Sequence, residues 1–299
     1  MLSQVLVDTL IRAAELSLVA VGLTMTWGTI KFANVAHVQF ATLGAYLTAL
    51  ACGAVGLGLV LGSAVAAVVT GLAGVLLQVL FFRRLRSRSS STALIGSLAL
   101  SVVITAVIQT VAGTRPKQLP VPLSVGFQVG DAFVTRAQVA IVASTALILA
   151  VFFLVLHGTN AGRAVRCLEA NPDLTRASGI DTGRLTLAVT FVAALLAGLG
   201  GIFIAIDTAA SLELGATILL AVFAAVVMGG IGSTGGAVTA AVVLAFVESL
   251  VLRVDFGFLT GAEHTYLPVT YRPGVGFVAV ILVMLLRPTG IFGRGGRLA

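Results

Sequence analysis

Residues 57–82 read LGLVLGSAVAAVVTGLAGVLLQVLFF, from Leu57 to Phe82 without one charged side chain. An unbroken apolar run of about 20 residues is what crosses a bilayer as a helix. Working outward, comparable runs occupy about 10–30, 35–55, 92–113, 137–157, 185–206, 212–229, 237–253 and 273–287. Of the 299 residues, 59% are hydrophobic and 10% are charged; ordinary soluble domains carry about 45–50% and about 25%. So few charges cannot cover a water-soluble surface. The fold class that follows is an all-α polytopic membrane protein, a bundle of about 8–10 transmembrane helices forming one domain over 1–299. Hydropathy alone miscounts helices that are interrupted within the membrane. The opening MLSQVLVDTLIRAAE contains Asp8 and Glu15, which spoil a cleavable signal, so the first helix is expected to be retained.

Charges between the runs are uneven. Arg83, Arg84, Arg86 and Arg88 form one basic loop; Arg163, Arg166, Arg176 and Arg184 lie in another; Lys31, Arg287, Arg294 and Arg297 complete the pattern. Basic loops stay in the cytoplasm. Loops at 31–34, 83–91, 158–184, 230–236 and the tail then share the cytoplasmic side, leaving the N-terminus and the segments around 114–136, 207–211 and 254–272 outside with Asp131, Asp207, Asp255 and Glu263. The net charge of +7 is therefore a topology signal, and nucleic acid is not an expected partner. An inner-membrane location, with the N-terminus external and the C-terminus cytoplasmic, is expected.

The stretch MGGIGSTGGA (228–237) spells G-x-G-x-x-G through Gly230, Gly232 and Gly235. A dinucleotide cradle needs a preceding strand and a βαβ context, and here the glycines join two apolar helices. They point instead to a tight reversal between closely packed helices; Gly229, Gly230, Gly232, Gly235 and Gly236 are also candidates for a hinge. Cys52 and Cys167 lie far apart, without metal-ligand spacing, and His37, His157 and His264 fall in separate loops or helix ends. No catalytic constellation, metal site or cofactor is expected, so the chain does not read as an enzyme.

The segment HGTNAGRAVRCLEANPDLTRASGIDTGRL (157–185) is long for a connection. Its middle reads as helix, broken and restarted at Asn171-Pro172 and stopped at Gly179. Within the spans, Thr24, Thr26, Asn34, His37, Gln39, Thr42, Tyr46 and Gln109 are polar where polarity is costly, which makes them candidates for a pathway. A hydrogen bond to backbone or to a neighbouring helix is the simpler role for a Thr or Gln. Asn34 could equally cap the second helix, and His37 could be a structural hydrogen-bonding residue. Glu15 and Glu248 lie within predicted helices, both toward external ends, whereas ion coupling ordinarily uses carboxylate relays inside the membrane.

Four stretches together resemble one family. GRAVRCLEANPDLTRASGIDTGRL is similar to the cytoplasmic loop of permease subunits of branched-chain amino acid ABC importers. GLTMTWGTIKFANVAHVQFATLGAYL (22–47) resembles their first hairpin, MGGIGSTGGAVTAA their glycine-rich loop, and RPTGIFG their C-terminal signature. The similarity is greatest to the H-type subunit. Val38, Trp27 and Gly235 depart from the family's usual glycine, tyrosine and proline.

The resemblance implies a permease that pairs with a second, different permease chain and two cytoplasmic ATPases, and receives substrate from an extracytoplasmic binding protein. It implies a bundle like that of the broader importer class that includes the vitamin B12 permease. It implies a coupling loop at about 158–184, with a coupling helix between Arg163 and Gly179 and ATPase contacts from Arg163, Arg166, Glu169 and Arg176. Thr24, Thr26, Asn34, His37, Gln39, Thr42 and Tyr46 then become pathway candidates. Branched-chain or other hydrophobic amino acids are the implied substrates; urea or short amides, or an ion-coupled transporter or channel, are the alternatives.

Overall fold

The computed structural model describes residues 2–85, 89–122, 126–255, 266–287 and 290–291. Arg86, Arg88, Glu263, His264, Arg294 and Arg297 lie outside the described residues. Helix α1 (Leu2–Ile30) is followed by a 3-10 turn at Val35–Val38 that leads into α2 (Gln39–Gly53). Helix α3 (Leu59–Leu77) continues through a π-helical turn, Gln78–Phe82, into the short α4 (Arg83–Leu85). Then come α5 (Ser90–Ala112), α6 (Arg136–Gly158), α7 (Asn160–Ala170), α8 (Pro172–Ala177), α9 (Thr182–Asp207), α10 (Leu214–Gly229), α11 (Thr234–Val251) and α12 (Arg272–Leu286). Among the described residues, seven runs, starting at Val35, Leu59, Ser90, Arg136, Thr182, Thr234 and Val269, are long and apolar enough to cross a membrane, and α10 is a shorter apolar helix.

Caps explain several of the boundaries. The Ser89 hydroxyl accepts from the Thr92 N–H at 3.2 Å to start α5. Thr135 and Gln138 form a reciprocal capping box that starts α6. Ser233 accepts from the Gly236 N–H at 3.1 Å to start α11. Within the spans, Thr26, Thr29, Thr48, Thr70, Thr186 and Thr190 donate to carbonyls of their own helices. That satisfies hydroxyls where no water reaches.

Helices α1 and α9 form the centre: α1 packs on α9 and α11, and α9 on α2 and α3. Lipid offers no hydrophobic drive between helices, so small residues that permit close approach decide who packs with whom. At the crossing of α2 and α9, a methyl added to Gly44 would lie 2.6 Å from the Gly198 carbonyl oxygen. The outer helices show the complementary pattern, with Leu98, Val102, Val107, Val151, Leu154, Leu282 and Leu285 exposed.

The ends of the bundle sort the connecting segments into two groups. At one end, Lys31 Nζ donates to the Glu169 carbonyl, the Gly232 N–H to Thr24 Oγ1, and Gly290 packs on Val227 and Gly230. At the other, Lys117 pairs with Ala210, Gln138 Nε2 donates to Asp207, and the Phe133 N–H donates to Gln4. These contacts gather the segments at 31–34, 158–184 and 230–236 at one end and those at 114–136 and 207–211 at the other.

Two features depart from the expected helices. The segment at 114–136 contains a hairpin, β1 (Phe127–Val129) and β2 (Ala132–Val134), with Phe127 opposite Val134. Gly130, at φ 62°, opens its two-residue turn. The second span, expected as continuous helix from about 35, starts as a 3-10 turn and becomes α-helical only at Gln39.

Candidate functional site

The segment between α6 and α9 folds as its residues dictate. Thr159 Oγ1 accepts from the Gly162 N–H at 3.1 Å, capping α7 directly after α6 ends. Gly162, Val165 and Leu168 are buried, three residues apart on one face, while Arg163, Cys167 and Ala170 are exposed on the other. Asn171 breaks the helix in an extended conformation, and its Oδ1 accepts from the Asp173 and Leu174 N–H groups at 3.0 and 3.1 Å. Pro172 occupies the first turn of α8, where its missing N–H costs nothing. Gly179, at φ 82°, ends the pair, and Asp181 Oδ1 caps α9 through the Gly183 and Arg184 N–H groups.

The expected contact residues divide between two faces. Arg163 and Arg176 are exposed, Arg163 bonding Asn160 and Arg176 reaching Thr182 Oγ1 at 3.4 Å. Gly179 is exposed beside them. Arg166 and Glu169 instead face the bundle: Arg166 donates to the Leu156 carbonyl of α6, and the Glu169 side chain lies over Gly28 of α1. Burial raises the Glu169 carboxyl to about 7, against the pull of Lys31 and Arg166. The reason for the split is periodic: Arg166 and Glu169 sit one position from the buried Val165 and Leu168, whereas Arg163 sits opposite them. Sequence reasoning passed over Leu174, exposed at 65%. With Cys167, Ala170, Asn171, Thr175, Ser178 and Ile180 it lines a groove of about 310 Å³ on the outer side of this element. An apolar side chain in an otherwise polar helical turn was the signal available for it.

The pathway candidates Thr24, Thr26, Asn34, His37, Gln39, Thr42 and Tyr46 are all buried within the bundle. Thr42 Oγ1 lies 3.1 Å from Gln39 Oε1 and accepts from the Gly215 N–H at 2.9 Å, tying α2 to the start of α10. Thr24 holds the glycine turn through Gly232 at 3.1 Å, and Thr26 bonds its own helix. Asn34 does not cap the following turn, and its Oδ1 is buried without a hydrogen-bond partner. The His37 ring stands edge-on to Phe40 at 5.7 Å and lies by the Val19 backbone, neither nitrogen reaching hydrogen-bond geometry. The Tyr46 hydroxyl is likewise unpartnered. Gln109, by contrast, is exposed on α5.

The glycine stretch is a turn between packed helices. Gly230 and Gly232 take φ of 93° and 82°, values that side chains resist. Gly229 and Gly236 bring the two backbones together: a methyl on Gly229 would lie 2.4 Å from the Gly236 carbonyl oxygen. Gly235 has open space beside it.

The buried carboxylates are bridged. Arg12 lies 3.3 Å from both Glu15 and Glu248, and Arg253 pairs with Asp8 at 2.6 Å. Arg12 thus bridges Glu15 and Glu248 and ties α1 to α11. Losing one partner of a buried pair costs about 3–5 kcal/mol, so this bridge fixes helix placement. Among the described residues, no group of three or more His, Cys, Asp or Glu is placed to hold a metal ion.

Comparison with known proteins shows what the chain is similar to. The family model described as "Branched-chain amino acid transport system / permease component" matches residues 5–286. The high-affinity branched-chain amino acid transport system permease protein LivH of Escherichia coli K12 is 28% identical over 292 residues, covering 93% of this chain and 91% of its own. BraD of Pseudomonas aeruginosa PAO1, a permease protein of the same description, is 27% identical over 309 residues, covering 97% and 95%. Among solved structures, PsaBC from Streptococcus pneumoniae in complex with Fab aligns over 94% of this chain and 91% of its own, at 13% identity and a TM-score of 0.49. The chain belongs to the family of permease components of branched-chain amino acid transport systems.

Proposed function

We propose that the chain is one permease subunit of an ATP-driven importer of branched-chain amino acids, working with a second permease chain, two cytoplasmic ATPases and an extracytoplasmic binding protein. The observation that carries this reading is the family match over residues 5–286. The relatives it resembles nearly end to end are named as high-affinity branched-chain amino acid permeases. In this reading the chain hydrolyses no ATP; it supplies the helices that move. The end bearing Lys31, Arg83, Arg84 and the α7–α8 element faces the cytoplasm, in keeping with the positive-inside rule.

The exposed side of α7 and α8, with Arg163, Leu174, Arg176 and Gly179 around the apolar groove, is the surface offered to the ATPase. In the buried layer, Asn34, His37 and Tyr46 retain unused hydrogen-bonding capacity, and they are the members suited to respond to passage of an amino acid. The glycine turn at 229–236 is the hinge candidate.

Purification from native membranes in mild detergent tests this, with identification of what accompanies the chain. ATPase subunits and a second permease are expected with the wild type. A variant with Leu174→Asp and Arg176→Glu should lose about tenfold in ATPase recovery, the effect of removing about 1.4 kcal/mol at a docking surface. Wild-type chain that emerges without any ATPase in several detergents would remove the importer reading.

A further inference from the structure

The side chain of Glu169 is turned away from the surface where an ATPase would dock, and it occupies a place made for it. Gly28, in the last turn of α1, has no side chain there: a methyl at that position would lie 3.1–3.2 Å from the Glu169 carboxyl oxygen, Cδ and Cγ. One residue past the end of α1, Lys31 adopts φ 63°, the positive value among non-glycine residues described, and its Nζ donates to the Glu169 backbone carbonyl at 2.5 Å. A backbone strained in this way at a non-glycine residue persists only where its surroundings hold it. Element α7 therefore grips both the last turn of α1 and the reversal that follows.

The reversal leads inward. After Lys31 the chain runs back along α1 as residues 32–34 and enters the 3-10 turn carrying His37. A methyl on Gly22 would lie 2.8 Å from His37 Nε2. Gly22 is eight residues before the end of α1, about 12 Å along a helix rising 1.5 Å per residue. The segment gripped by Glu169 thus connects directly to Asn34, whose Oδ1 is unpartnered, and to His37. A second polar tie of α7, from Arg166 to Leu156, reaches α6, from which it follows in the chain, and α7 also packs on α9.

We propose that the contact of Glu169 with Gly28 and Lys31 is the joint through which the α7–α8 element moves α1 and the 31–38 segment, so that Glu169 is a positioning residue for transport and not an ATPase contact. This rests on the importer reading and adds to it the route by which motion reaches the buried polar layer. The joint works by filled space beside Gly28.

The complex as it co-purifies is placed in proteoliposomes, and ATP hydrolysis and uptake of labelled leucine are measured in the same vesicles. Glu169→Ala should keep its ATPase subunits and keep hydrolysis within about twofold, while leucine moved per ATP falls about tenfold, within the 5–150-fold range of allosteric couplings. Glu169→Gln, of the same shape, should keep the ratio within about twofold. Refilling the space from the other side, with Gly28→Leu added to Glu169→Ala, should restore at least about half of it. A Glu169→Ala complex with the wild-type ratio overturns the proposal, as does loss of the ATPases from that complex, a low ratio for Glu169→Gln, or a double variant that stays uncoupled. Should Glu169→Ala fail to fold, the glutamine and double variants decide alone. Wild-type complex without ATP-driven uptake would instead count against the importer reading itself.

Discussion

Glu169 shows how one residue's surroundings set its behaviour. Packed between α7 and α1, its carboxyl is raised from 4.5 to about 7, with burial outweighing Lys31 and Arg166. The folded protein therefore holds a proton that the unfolded chain releases between those values, and stability falls as pH rises through that window. Detergent-purified wild type should lose thermal stability relative to Glu169→Gln from about pH 5 to about pH 7.5, and parallel melting temperatures across that range would contradict the assignment. Much at this scale was legible. Asn34, His37 and Tyr46 stood out as polar residues within apolar spans; they are buried, with Asn34 Oδ1, both His37 ring nitrogens and the Tyr46 hydroxyl unpartnered. The directions of Arg166 and Glu169 were not, because a helix face is decided by what it packs on. The loop sequence does not reveal that Gly28 would leave room for a carboxylate.

At the scale of elements, the α7–α8 pair was readable because its signals are local: the Asn171-Pro172 break and the Gly179 stop each act within one turn. The hairpin at Phe127–Val134 and the 3-10 start of the second span were not. Hydropathy reports how apolar a segment is and not its backbone geometry. The turn at Val35–Val38 is fixed in part by a distant donor–acceptor pair, the Val35 N–H and Ser97 Oγ at 3.1 Å. Cys167, exposed on α7, provides a direct test of where this element lies. With Cys52→Ser as background, a membrane-impermeant maleimide should label Cys167 in inside-out vesicles and leave it unlabelled in right-side-out ones. Labelling from the outside would invert the sidedness and remove α7–α8 as an ATPase surface.

The whole molecule is organised around α1 and α9, with small residues at the central crossings and large aliphatic ones facing outward. Segments joined at one end carry Lys31, Arg83, Arg84, Arg163, Arg166, Arg176 and Arg287; the opposite end is stitched by Arg12, Glu15 and Glu248 and by Arg253 with Asp8. Carboxylates bridged by arginine are poorly placed to bind and release a driving ion, which supports the proposal that partner subunits supply the energy for transport. The most direct measurement of that claim is uptake of labelled leucine into proteoliposomes containing the purified complex, with binding protein outside and ATP enclosed. ATP-driven import requires uptake that depends on enclosed ATP and persists when a protonophore or sodium ionophore collapses the ion gradients. Uptake that proceeds without ATP and stops with the ionophore would contradict it.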